Sequence, residues 1–405
     1  MITDSSEVLP KLEGIKYYFN VQKFCFTAIG VDLFSTRRTI FNGFLFWIPN
    51  IVQFILSEPL TLYSIQNLED MNLVTDAMAP VWQVLMANMK MVLFLWHRRD
   101  IKKLVRELWE WNLEATKEEL KMIEEENRKD TLTSGSFYMT VFSTGVLALV
   151  APFFKAFYGY LKGEDFWEVL ETPLKGSYFM DPKETYLGYF IAYMWALIAI
   201  YAVINTTLAV DSLFSWIVHN IAAHFWILRE RLKSIAESNI EGIHCYETLR
   251  KSIGESVRYH QRIIDIIEEF NEVFMMIVFV KFLISCIQIA FLAFQFVRGG
   301  ELAGQVFHTF FLMSISMQMM LYCYGGQRIK DESASIAVTI YEHFHWEVLC
   351  PKSRKLLLLP LARAQKSSKL TGVFFITDLS LFLWVYKTAG SFMTLMMSVS
   401  DGENK

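Results

Sequence analysis

The chain has 405 residues, 53% of them hydrophobic and 15% aromatic, with a formal net charge of -4. That apolar share exceeds what the core of a soluble domain consumes, and the Lys and Arg residues form no continuous basic stripe of the kind nucleic acid requires. Only 9 prolines and 19 glycines interrupt the chain, and its charges bunch between apolar runs, so long membrane-spanning helices are the expectation.

Residues 1–20 are mixed polar and charged with no apolar h-region, so a cleaved signal peptide is not expected and the first span acts as its own insertion signal. Seven runs then reach the roughly 20 helical residues needed to cross a hydrocarbon core. They cover residues 40–63, 73–96, 137–160, 186–210, 273–297, 302–324 and 370–397. The first is the weakest, interrupted by Pro49 and ending near Glu58. Apolar character in the fourth continues from Asp211 through Trp226, which admits two short spans or one long helix. One helix leaving the membrane is the better reading, because Arg229, Glu230, Arg231 and Lys233 follow. The fold class is therefore all-α, a seven-transmembrane helical bundle.

Lys and Arg set the orientation. With the N-terminus inside, 29 of the 38 fall in inner segments, six in outer ones and three within spans (Lys90, Lys281 and Lys387). The topology is inverted relative to a G-protein-coupled receptor, with the N-terminus cytoplasmic and the C-terminus extracellular. Cys25, Cys245 and Cys350 fall on the inner side and Cys286 and Cys323 in or beside spans, so no disulfide is expected. The sequon Asn205-Thr206-Thr207 lies within the fourth span, out of reach of glycosylation.

Inner segments between spans carry amphipathic helices. Ile101, Leu104, Val105, Leu108 and Trp111 follow helical spacing, and the pairs Glu124/Arg128 and Glu125/Lys129 line a solvated face. Further stripes are Leu249, Ile253, Val257, Ile264 and Ile267, then Ile336, Ile340 and Phe344. These stripes bury either against one another within a chain or against neighbouring subunits, and periodicity does not choose.

Catalytic motifs and metal-ligand spacing are missing, so neither an enzyme nor a cofactor is expected. His343 and His345, with Glu342 and Glu347, sit in a charged segment where a solvated role outweighs a ligand role. Lys90 is expected to snorkel to the inner surface, while Lys281 and Lys387 need a partner or a watery path. The outer halves of the spans carry Trp82, Met86, Leu149, Phe153, Tyr189, Tyr193, Met194, His308 and Phe311. Together these suit a pocket for a small apolar molecule oriented by Tyr hydroxyls and His308; helix packing or lipid contact is the alternative for each. On the last span Thr388, Ser391, Leu395 and Ser398 share one face. That face suits either helix contact through small residues or an aqueous pore with one hydrophobic constriction.

Several stretches resemble the insect odorant receptor family. They are Leu93-Phe94-Leu95-Trp96-His97-Arg98-Arg99, Val257-Arg258-Tyr259-His260, Tyr322-Cys323-Tyr324-Gly325-Gly326-Gln327 and Thr339 to Trp346. Leu361-Ala362-Arg363-Ala364-Gln365-Lys366 and Lys387-Thr388-Ala389-Gly390-Ser391-Phe392-Met393-Thr394-Leu395 complete the set. The resemblance implies an odorant-gated, non-selective cation channel subunit in the plasma membrane of a sensory neuron, assembled as a heterotetramer with the shared co-receptor. It implies that the inner helices form the inter-subunit anchor, that a small volatile ligand binds in the outer half of the bundle, and that the last span lines the pore. Leu395 falls where the family has its hydrophobic gate, and Ser398 where the co-receptor has a Gln.

The loops lack the co-receptor's long insertion, which favours the odorant-tuned subunit. The implied organisation is an inner segment over 1–39, a six-helix bundle with the pocket over 40–324, anchor helices over 325–369, and the pore helix with an outer tail over 370–405. A gustatory-type channel of the same fold is the alternative, but its Thr-Tyr-(five apolar)-Gln-Phe signature is missing. A G-protein-coupled receptor is opposed by the charge count and lacks Asp-Arg-Tyr and Asn-Pro-x-x-Tyr. A transporter would carry internal repeats.

Overall fold

The computed structural model describes residues 19–30, 40–240, 246–298, 302–347 and 349–403. The expectations about a signal in residues 1–20 and about Cys245 fall largely or wholly outside those residues. In chain order the elements are α1 (Asn20–Ala28), α2 (Ile40–Gln66), α3 (Met71–Trp96), α4 (Arg98–Glu114), α5 (Lys117–Leu161), α6 (Phe166–Val169), α7 (Tyr186–Ile240), α8 (Tyr246–Arg298), α9 (Leu302–His343), α10 (Pro351–Gln365), the strands β1 (Thr371–Gly372) and β2 (Phe375–Ile376), and α11 (Leu379–Glu403).

Length explains the architecture. The 55 residues of α7 extend about 80 Å at the helical rise, against a hydrocarbon core of about 30 Å. Helices α5, α8 and α9 are likewise too long to end at the membrane. Among the described residues five helices are long and apolar enough to span (α3, α5, α7, α8 and α9). The first and last expected spans coincide with α2 and α11. The fourth span is one continuous helix, as the charges after Trp226 imply. Helix α2 continues past Glu58 to Gln66.

The protruding halves gather with α4 and α10 into a helical domain at the end of the bundle richest in Lys and Arg. Its α5 starts with a capping box in which Thr116 and Glu119 satisfy each other's backbone N–H groups. Here the structure decides between the two fates of the amphipathic stripes. Leu249, Ile253, Ile264, Ile267, Ile336, Ile340 and Phe344 are all buried within the single chain. Ile253 meets Ile336, Ile340, Leu228 and Leu357 around a void of only about 10 Å³. The apolar stripes thus form the domain's own core, and the faces left over for a neighbour carry Val338, Tyr341, Leu358 and Leu359.

The last span also starts later than its apolarity suggests. Residues from Leu370 form an antiparallel hairpin in which Thr371 pairs with Ile376 and Gly372 with Phe375. Asn271 of α8 accepts the Thr371 N–H at 2.7 Å, and Phe375 packs edge-on against Phe282. Asp378 then caps α11, accepting the N–H groups of Ser380 and Leu381. Gly326 of α9 makes room for this hairpin: a Cβ there would lie 1.9 Å from the Thr377 carbonyl oxygen.

Candidate functional site

Two adjoining cavities open in the half of the bundle away from the helical domain, the inner between α3, α5, α7 and α9 and the outer among α2, α3, α5, α8, α9 and the loop before α7. The inner one, of about 110 Å³, is walled by Pro80, Gln83 and Val84 of α3, by Phe137, Val141, Thr144, Gly145 and Ala148 of α5, by Ala199, Ile200, Val203, Ile204 and Thr207 of α7, and by Phe307, Phe311, Ser314, Ile315 and Gln318 of α9. None of these residues carries a charge. Thr144 and Ser314 share a hydrogen bond of 2.7 Å, and both hydroxyls also reach the Thr140 carbonyl, so little polarity is left to face the space. Gly145 brings α5 and α7 together, since a Cβ there would collide with Ile200 and Ile204.

The outer cavity, of about 330 Å³, shares Pro80, Ala148, Leu174 and Phe307 with the inner one and is more polar. At its rim Asp76 accepts from Lys175 at 2.9 Å and pairs with His308 at 3.0 Å, while Lys155 pairs with Glu171 at 2.7 Å. The loop between α6 and α7 is pinned over this end. Ser177 donates its N–H to the Pro59 carbonyl at 2.9 Å and its hydroxyl to Gln66 at 2.5 Å.

Of the pocket residues expected from the sequence, Phe311 lines the inner cavity and His308 the outer. The others lie elsewhere. Trp82 and Met86 pack on Val280 and Ile284 of α8. Phe153, Tyr189 and Tyr193 form an aromatic cluster on the flank of α5 and α7. There the Tyr193 hydroxyl donates to the Leu149 carbonyl and that of Tyr189 to the Glu171 carbonyl. Met194 is partly exposed on α7. The inner cavity is walled by side chains of mixed size, from Gly145 and Ala148 to Phe137, Phe307 and Phe311, with Ser314 and Gln318 about one turn apart in an apolar span.

Beneath the cavity lies a buried polar node. Lys90 of α3 and Tyr322 of α9 both donate to Asp211 of α7 at 2.5 Å. Gln318 donates its amide to the same carboxylate and accepts from Lys281 of α8. Lys90 is fully buried, so it does not snorkel. Helices α7 and α9 close over it, and the Asp211 carboxylate replaces the water it would otherwise seek. Lys387, by contrast, is exposed on α11.

Further down α7, within the helical domain, His219 contacts Glu126 at 3.1 Å and Arg328 donates to the same oxygen at 2.6 Å. Burial pushes the Glu126 carboxyl up, but the His219 hydrogen bond and the Arg328 charge outweigh it and hold it at about 2. His224 stacks on Trp111 with centroids 3.7 Å apart and hydrogen-bonds Tyr259 and Asn112. Burial, then the charges of Arg262 and Arg231, push it down to about 3. Among the described residues no His, Cys, Asp or Glu group has the makings of a metal site.

On α11, Leu381, Val385 and Ala389 face the bundle and are buried. Ser391, Leu395 and Ser398 lie on an exposed side with Thr388 half-buried at its edge, and Leu395 is 58% exposed. The three hydroxyls bond carbonyls of their own helix (Trp384, Lys387 and Leu395), which leaves a satisfied face of short side chains around one Leu.

Comparison with known proteins agrees with this architecture. The family described as 7tm Odorant receptor matches residues 70–390. The chain is 30% identical to Odorant receptor 45a of Drosophila melanogaster across 94% of its length and 98% of that protein. It is 23% identical to Odorant receptor 9a of the same species, across 93% and 95%. Its fold is similar to that of the insect olfactory receptor OR5 from Machilis hrabei in complex with eugenol, with a TM-score of 0.79 over 96% of this chain and 99% of that one at 14% identity. A multi-pass helical bundle with these motifs, matched end to end by such relatives, belongs to the insect odorant receptor family.

Proposed function

We propose that this chain is the odorant-tuned subunit of a ligand-gated, non-selective cation channel of the plasma membrane, and that the inner cavity holds the odorant. The single observation carrying the assignment is that cavity: uncharged, almost wholly apolar and set between four helices of the bundle. At about 110 Å³ it approaches the ~150 Å³ engineered cavity that admits benzene, so a compact uncharged ring or short chain fits, whereas an ionised molecule would lose its hydration. The eugenol held by the Machilis receptor is a monocyclic compound of that general class. The outer polar cavity is the approach, and His308 is its orienting group.

The helical domain lies in the cytoplasm and the cavities on the outer side, an orientation supported by the bias of Lys and Arg. The co-receptor joins it in a heterotetramer through the remaining exposed faces of α9 and α10, and Thr388, Ser391, Leu395 and Ser398 face the pore, with Leu395 as the constriction. The chain acts as a receptor rather than an enzyme. Whole-cell recording with a panel of eugenol, benzaldehyde, cyclohexanone and 2-heptanone, with and without co-receptor, tests this. Ile204→Trp fills the cavity and is expected to abolish the response at normal surface expression. A full response in that variant would remove the cavity from ligand recognition.

A further inference from the structure

One face of α9 connects the cavity to the foot of α11 at one-turn intervals. Gln318 lines the inner cavity and holds Asp211 and Lys281. Tyr322, one turn on, donates to the same Asp211 at 2.5 Å and packs against Phe214 with ring centroids 4.4 Å apart. Gly326, the next turn, lies under the Thr377 backbone with no space for a Cβ. Lys330, one turn further, donates to Asp378 at 3.2 Å, the residue that caps α11.

We infer that this row, Gln318–Tyr322–Gly326–Lys330, is the element that carries ligand occupancy to the pore helix, with Gln318 as the residue that registers the ligand. The inference rests on the reading of the inner cavity as the odorant site. A ligand shifts an equilibrium only through contacts that differ between two states, and Gln318 is placed to supply that difference. Its stem borders the cavity while its amide is committed at both ends, to the Asp211 carboxylate and to the buried Lys281 amine nitrogen. Displacing the stem cannot preserve both hydrogen bonds, and away from solvent each lost bond leaves a buried polar group under-satisfied. The cost is relieved by movement of α9, which is in backbone contact with the start of α11. The row also explains the buried ion pair in the span: Lys90 and Asp211 tie α3 to α7 as the frame against which α9 moves.

The test records from the full chain with co-receptor, using whichever panel compound gives the largest wild-type current. Binding is followed separately as the compound's shift of melting temperature in the purified complex. Lys330→Met removes the contact at the foot of α11 far from the cavity; Gln318→Met removes both amide bonds at similar side-chain length. Maximal current is expected to fall at least fivefold in each, and in Lys330→Met, which lines neither cavity, the binding midpoint is expected to stay within threefold of wild type. Wild-type maximal current in Lys330→Met overturns the inference, as does a parallel loss of binding and current in that variant. Should Gln318→Met fail to reach the surface, Tyr322→Phe replaces it, keeping the ring and losing one hydroxyl, and an unchanged maximal current there counts against the row. A wild-type chain silent to the whole panel overturns the functional reading as well. A responding wild type that loses its response in Ile204→Trp, beside unaffected row variants, overturns this inference alone.

Discussion

Arg328 of α9 donates to Glu126 of α5 across 2.6 Å, inside the helical domain, with the carboxylate almost wholly buried. His219 of α7 reaches the same oxygen, so one carboxylate ties three long helices together within the helical domain. Truncating it strands a largely buried guanidinium. Glu126→Ala is expected to cost about 3 kcal/mol, in the range for breaking a buried pair. The exposed neighbour Glu125, whose pair with Lys129 is open to solvent, serves as control at about 0.5 kcal/mol or less. Thermal unfolding of the purified variants measures both, and equal losses would show the buried pair to be idle.

His224 makes folding sensitive to acid. Its folded value of about 3 lies below the ordinary 6.5, so above pH 6.5 the ring is neutral in both states and its contribution is complete. As pH falls below 6.5 the unfolded chain takes up a proton that the folded one refuses, and stability declines until about pH 3. Between pH 6.5 and 5 the loss is about 2 kcal/mol. His260, pushed down to about 4 by burial and the Arg363 charge, acts in the same direction. His224→Gln is expected to flatten the dependence of melting temperature on pH across this window. An unchanged slope would mean another group is responsible.

Ile253 sits in the core shared by α7, α8, α9 and α10. Ile253→Asp places an unpaired carboxylate in an apolar site and is expected to unfold the helical domain of the isolated chain. Val338→Asp, on an exposed face of α9, is expected to fold normally and to lose co-assembly. Co-purification with the co-receptor, beside monodispersity of the chain alone, separates the two effects. A folded Ile253→Asp chain would contradict the intrachain packing.

Leu395 projects from the uncovered face of α11. A narrow apolar ring excludes water, and an ion cannot cross it without its hydration shell. Leu395→Ala is therefore expected to raise basal current without altering the rank order of ligands. Phe392→Ala, roughly 60° away around the helix, is expected to change packing and leave basal current near wild type. Recording with co-receptor in the absence of ligand decides it, and a silent Leu395→Ala at normal surface expression removes this residue from the constriction.

The sequence by itself determined what depends on composition and on spacing along one helix. Seven apolar runs separated by charge clusters define the helical bundle, the cations after Trp226 make α7 one helix, and the stripe from Ile101 to Trp111 marks α4. The face Thr388–Ser398 follows from periodicity alone, because residues three and four apart on one helix share a side whatever the neighbours are. Tertiary structure decided everything that depends on which faces meet. It turned Lys90 inward, since the partner Asp211 lies on another helix 121 positions away. It gave Leu370 to Ile376 to a hairpin rather than to α11, because Asn271 and Phe282 of α8 hold that segment and Gly326 of α9 leaves it room. It closed the stripes of Ile253 and Ile340 on each other within one chain. The cavity itself was least legible, for a physical reason: it is the space left between side chains of four helices, α3, α5, α7 and α9, and no period within one helix records a gap.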